Sequence, residues 1–207
     1  MSPRFALEVG GANASTMEVS MSMHVLPGGM VVRVRGVRSY DEVALRAAFR
    51  ELSAETRYQR LLAHVHDLSD DLWRYLCDVD GRDHVALVAF RADDGRLVGV
   101  VRFVRHALDP TVAEMAVTVT DSCQKQGLGT LLLGLLVDAA RERSIRAFVA
   151  HALPSNVAVR RLMGRFGTLD ARRFGGEEVL WLQLRVVNAE ARTCMPDRTA
   201  KNSLRRA

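Results

Sequence analysis

Apolar and polar positions change period several times along this chain, and each change marks an element. From Met30 to Val37, Val32 and Val34 alternate with Arg33 and Arg35, which predicts a strand. Val43, Leu45, Ala48 and Phe49 then recur at helical spacing behind Ser39 or Asp41 as a cap. Further helical runs cover 52–62 and 68–76, the second opened by Ser69. Period two returns over His84 to Phe90, with Val85, Leu87 and Ala89 on one face. Asp93-Asp94-Gly95 is a tight hairpin signal that brings Leu97 to Phe103 back antiparallel, and Asp109-Pro110 leads into a strand from Val112. Leu131, Leu132, Leu135, Leu136 and Ala139 make a helix ended by Arg141, Glu142 and Arg143. Arg146 to Ala150 reads as a strand. Pro154-Ser155-Asn156 opens a helix through Val159, Leu162, Met163 and Phe166, with Gly167 as its stop. Val179 to Val187 is the final strand, with Trp181 and Leu182 among its core candidates. The order β, α, α, α, β, β, β, α, β, α, β predicts a mixed α/β layered domain.

One junction in this pattern carries chemistry. Met115 to Thr120 alternates as a half-buried strand, and Gln124-Lys125-Gln126-Gly127-Leu128-Gly129-Thr130 joins it to the leucine-rich helix. Glycines at a helix start let backbone amides approach a ligand with no Cβ in the way. The first turn adds unpaired N–H groups and a partial positive charge, which together make an anion site. A dinucleotide fingerprint would need a third glycine, but Leu132 stands at its place; a Gly-Lys-Ser or Gly-Lys-Thr phosphate loop is absent too. The alternative is a plain structural turn.

Composition narrows the remaining choices. The chain's 207 residues suffice for one well-buried domain with tails. Its first 27 residues lack periodicity and end in Pro27-Gly28-Gly29, which predicts a flexible segment over 1–27, a domain over 28–187 and a basic flexible tail over 188–207. No apolar run is long enough to span a membrane, and no apolar segment follows a basic start as in a secretory signal, so a cytoplasmic location is expected. Three cysteines at unrelated spacings and scattered histidines argue against disulfides and a metal site; Cys123, beside the junction, reads as a small loop residue rather than a nucleophile. Five basic residues against two acidic ones in 188–207 account for much of the net +5, and arginines without interleaved aromatics argue against nucleic-acid binding.

Gln-x-x-Gly-x-Gly resembles the pyrophosphate-binding signature of the GNAT superfamily of N-acetyltransferases, and the predicted element order is similar to theirs. Leu52 to Arg60, Asp78 to Asp80, Ala86 to Ala89 and Ala113 to Val119 further resemble the acetyltransferase domain of bacterial Pat-type protein lysine acetyltransferases, over about residues 30 to 187. The resemblance implies a mostly antiparallel central sheet flanked by helices, with acetyl-CoA as cosubstrate and no metal. Gln124, Lys125, Gln126, Gly127, Leu128, Gly129 and Thr130 would hold its pyrophosphate, while Val117, Val119 and Asn156 would meet the pantetheine arm. Pat proteins usually carry a further domain for which this chain has no room.

An amine attacks a thioester only when neutral, and a lysine ammonium is almost wholly protonated near neutral pH, so the reaction needs a base. The resemblance assigns that role to Glu114; the alternative is a surface glutamate paired with an arginine across the sheet. An apolar wall would raise such a carboxyl's pKa toward neutrality. His106 and His151 are further candidates, each also explained as a polar residue at a strand end. An amide near Val117 would polarise the thioester carbonyl. Asn156 is equally explained as an ordinary helix cap. Met163 stands where many relatives carry a tyrosine acid, which Pat-type domains also tend to lack, and Thr168 replaces a common phenylalanine. The expected reaction is direct transfer to a protein lysine by a monomer or homodimer; a small-amine acetyltransferase and a non-catalytic acyl-CoA-binding module are the alternatives.

Overall fold

The computed structural model describes residues 21–185 and places them in eight strands and five helices. In chain order these are β1 (Ser22–Val25), β2 (Val31–Gly36), α1 (Glu42–Glu51), α2 (Ala54–Leu61), α3 (Asp70–Cys77), β3 (His84–Arg91), β4 (Leu97–Arg105), β5 (Val112–Val119), α4 (Leu128–Glu142), β6 (Ala147–Ala152), α5 (Val157–Met163), β7 (Gly167–Phe174) and β8 (Glu177–Leu184). The strands form one sheet in the order β1-β2-β3-β4-β5-β6-β8-β7. Every neighbouring pair is antiparallel except β5 and β6.

Two cores sandwich that sheet. On one face Val85, Leu87, Ala89, Val101, Phe103 and Met115 pack against Leu128, Leu132, Leu133 and Leu136 of α4 and Met163 of α5. On the other, Ala86, Val88 and Leu97 meet Leu45, Phe49, Leu52 and Trp73 from the α1–α3 layer. Central β3 is therefore apolar at consecutive positions, as a strand covered on both faces must be. β8 keeps strict alternation, and this corrects one core expectation: Leu180, Leu182 and Leu184 are buried, whereas Trp181 falls on the outward parity and is 42% exposed.

Four further departures have local physical causes. Residues 22–25, expected inside the N-terminal flexible segment, pair with β2, and Pro27-Gly28-Gly29 is the hairpin turn between them, with Gly29 at φ +84°. Residues 1–20 and 186–207, including the predicted basic tail, lie outside the described residues. Asp41, not Ser39, is the N-cap residue of α1, but it makes no side-chain capping bond: its buried carboxylate instead accepts from both Arg35 Nη atoms at 2.6 and 2.7 Å and from the Arg38 amide at 2.8 Å. Gly167 is not a helix stop, because α5 ends at Met163 and Gly167 begins β7 opposite Leu184. A Cβ there would lie 1.8 Å from the Gln183 carbonyl oxygen, so only glycine fits. β7 itself is an exposed edge strand whose polar Asp170, Arg172 and Arg173 hide it from periodicity. The predicted caps Ser69 and Asn156 do cap, accepting from the amides of Leu72 and Val159. Among the described residues no helix is long and apolar enough to cross a membrane.

Candidate active site

The site begins where two strands part. β5 runs beside β6 only from Val112 to Glu114, opposite Ala147 to Val149, yet continues along β4 as far as Val119. The Thr120 amide donates to Val98 on β4, so the period-two alternation turns the N–H groups of Val117 and Val119 the other way, into the gap that β6 leaves. Their side chains pack against the α4 core, so wall and backbone roles coexist in the same two valines. The Val119 carbonyl accepts from Gln124 Nε2 at 3.2 Å, which ties the gap to the loop that follows.

That loop is built to display amides. Lys125 has φ +60° and Gly127 φ +92°, and two left-handed residues so close together curl the chain into a concave turn. Gly127 is the N-cap of α4 and supplies no capping side chain. Among the described residues, no protein group accepts from the backbone N–H of 125 to 130 outside helical bonding, and the first closed helical bond runs from Leu131 to the Gly127 carbonyl. Six successive donors at the positive end of a helix are therefore left without a protein acceptor among the described residues. At Gly129 a Cβ would make only ordinary contacts, 3.5 Å to Leu162 and 3.9 Å to Val119. Protein packing does not demand a glycine there; a ligand approaching the backbone would.

Side chains brace this turn more than they point from it. Gln126 Nε2 donates to the Ser122 carbonyl, Gln124 reaches Val119, and Leu128 is fully buried in the core. Lys125 is exposed, and the Thr130 hydroxyl accepts from Arg165 Nη1 at 3.1 Å. Arg165 carries no motif and escaped the sequence reading; it reaches the helix start only through the fold. Just upstream, the Asp121 carboxylate accepts from the Ser53 amide and hydroxyl and from the Thr56 hydroxyl, at 2.7 to 2.9 Å, locking the start of α2 to the loop. Burial pushes the Asp121 carboxyl up, but the bonds from Thr56 and Ser53 outweigh it and hold it below the usual carboxylate range.

Glu114 closes the narrow end of the gap. It is exposed rather than set against an apolar wall, and among the described residues it has no ion pair, so the arginine pairing across the sheet does not exist. Opposite it in the ladder stand Val104 on β4 and Val149 on β6. Arg60 of α2 and Tyr75 of α3 lie close enough to feel its charge. His106 is exposed with its ring accepting from the Leu108 amide, and His151 is exposed on β6 opposite Val179. Asn156 uses its side-chain oxygen to cap α5, which leaves its amide nitrogen without a partner among the described residues. Buried Met163 presents no proton donor, and buried Cys123 packs in the core.

The profile of the Acetyltransferase (GNAT) family matches residues 45–168, a span that holds the gap, the loop and Glu114. The chain belongs to this family. Members catalyse acyl-CoA-dependent N-acetyl transfer. The chain is 36% identical over 122 residues to acetyltransferase Pat of Mycolicibacterium smegmatis, covering 59% of this chain but only 36% of that protein. It is 32% identical over 149 residues to an acetyltransferase of Pseudomonas aeruginosa, covering 71% of this chain and 80% of the relative. In three dimensions it is similar to the GNAT domain of the S. lividans PAT protein, with TM-score 0.72 and 28% identity, over 79% of this chain and 97% of that one.

Proposed function

We propose that this protein passes an acetyl group from acetyl-CoA to the ε-amine of protein lysines, in the cytoplasm, with Glu114 as general base. One observation carries the reading: among the described residues the amides of 125–130 have no acceptor and are continuous with the open edge of β5, and a carboxylate without an ion pair stands at the end of that edge. The diphosphate would lie on the loop amides and the pantetheine along Val117 and Val119 as an added strand, with the free Asn156 amide as a further donor. The amine loses its proton to Glu114, directly or through one water, and attacks the thioester carbon. The Val117 N–H stabilises the resulting oxyanion. Collapse breaks the C–S bond, and the proton that the nitrogen sheds as the amide forms passes through water to the departing thiolate, since Met163 has nothing to give. The exposure of Glu114 and the relation to proteins named Pat favour a protein acceptor over a small one.

Two experiments test this. Labelled acetyl-CoA added with the purified protein to a host lysate should place label on protein lysines; label confined to small molecules would transfer the assignment to a small-amine enzyme. Glu114→Gln should lower kcat by roughly a hundredfold or more while leaving CoA affinity within about threefold. Activity surviving within a few-fold would remove Glu114 from the base role, and CoA binding with no thiol release from any amine would leave a non-catalytic module.

A further inference from the structure

A second feature lies on the α1–α3 side of β5, and among the described residues its charges make no ion pair with a carboxylate. A cavity of about 70 Å³ opens there, walled by Phe49, Trp73 and Val100, with Arg60, Arg102, Thr118 and Thr120 as its polar lining residues. Arg102 is 7% exposed. Its Nη1 donates to the Leu76 carbonyl at 3.1 Å and meets His84 Nε2 at 3.3 Å, but among the described residues its Nε and Nη2 have no hydrogen-bond partner. Arg60 makes no ion pair or side-chain hydrogen bond among the described residues. Burial first, and then the positive charge of Arg60, push the Arg102 guanidinium down to about 9. Burial likewise lowers Arg60, against the pull of Glu114.

Two guanidiniums close enough for one charge to depress the other, one of them in a residue only 7% exposed, favour an anion between them. Other arginines of this chain find carboxylates: Arg35 pairs with Asp41, Arg105 with Asp83 and Arg160 with Glu178. Arg102 lines a cavity with mostly apolar walls, beside the strand edge where transfer is proposed. The residue opposite Arg102 in the ladder is Ala116, partly exposed and the smallest side chain between Glu114 and Thr118, so little stands between the transfer edge and the guanidinium.

We propose that this cavity binds a carboxylate carried on a short apolar chain, brought to the transfer edge either as the ω-carboxylate of the donor's acyl group or as the carboxylate of the acceptor. The planar fork of Arg102 suits a carboxylate's two oxygens, and the apolar walls suit the carbons that carry it. A neutral group of the same shape would leave the donors unpaired. The proposal rests on the placement of the transfer edge at Val117 and Glu114.

Trp73 reports occupancy without any turnover. In a Trp181→Phe background, hexanoate should change Trp73 fluorescence saturably, and hexanamide should bind roughly tenfold more weakly or worse. Arg102→Gln and the less buried Arg60→Gln should each erase that discrimination, with Arg102→Lys restoring part of it. Equal response to hexanoate and hexanamide overturns the proposal even if acetyl transfer proceeds. The source is read from two ratios of kcat/KM: succinyl-CoA against butyryl-CoA on a blocked lysine amide, and 6-aminohexanoate against 6-aminohexanamide with acetyl-CoA. A ratio of about ten or more in one arm that falls toward one in Arg60→Gln assigns the carboxylate to that substrate. Ratios near one in both arms overturn the proposal. Acetyl transfer to the blocked lysine amide reports separately on Glu114 and the CoA site.

Discussion

At the scale of single residues, His84 gives the sharpest pH signature. It is 7% exposed, stacked on Tyr75 and set against Arg102. Burial first, and then the Arg102 charge, lower its pKa to about 4. The unfolded imidazole titrates near ~6.5, so the folded value is depressed and the unfolded chain binds the extra proton between the two. The contribution to stability is complete above about pH 6.5 and is lost as pH falls through about 4, on the order of 3 kcal/mol in all. Urea unfolding across this window should show that slope, and His84→Gln should flatten it; equal slopes would mean that His84 is protonated in the native state. Asp80 and Asp121, held below the usual carboxylate range by donated hydrogen bonds that outweigh burial, lose their contributions only at lower pH. Glu114 was nominated by a resemblance and the caps Ser69 and Asn156 by residue type. Arg60, Arg102 and Arg165 were invisible, because each matters through a contact with a distant element, and an arginine in a sequence does not reveal whether a carboxylate will meet it.

Elements were legible where one period ran long enough. The leucine spacing of α4 and the alternation of β3 and β5 located them, because each packs a whole face into a core. β1 and β7 were not legible: both are edge strands with exposed side chains, so ladder bonding rather than burial defines them. What no period could give is the parting of β5 from β6, a property of two strands. It makes a prediction of its own. Even-numbered amides of β5 pair with β4, while those of Val117 and Val119 face the gap. Hydrogen exchange by NMR should find Val117 and Val119 fast in the free protein and protected with acetyl-CoA, with Ala116 and Thr118 protected in both. Slow exchange at Val117 without ligand would mean that the edge is already occupied by protein.

For the whole molecule, the order of elements was readable but the order of strands was not, since β6 between β5 and β8 is fixed by packing across more than thirty residues rather than by local pattern. The result divides the sheet into β1–β5 and β6-β8-β7, joined in the ladder by only three residue pairs. What holds the halves together is the core beneath: Phe103 of β4 meets Phe148 of β6 at 6.0 Å between ring centres, and α4 packs with residues of both halves. A core that crosses the seam should make unfolding all-or-none despite the thin ladder. The two tryptophans test this, since Trp73 lies under the first half and Trp181 on the second. In Trp181→Phe and in Trp73→Phe, fluorescence and far-UV circular dichroism should share one midpoint within each protein. If acetyl-CoA lies in the gap as proposed it touches both halves, so at about a hundred times its Kd it should add roughly 2.7 kcal/mol and raise both midpoints together. If the Trp181 signal moves first, or only the Trp73 midpoint responds to ligand, the halves fold separately and the gap is a boundary between units rather than a cleft within one.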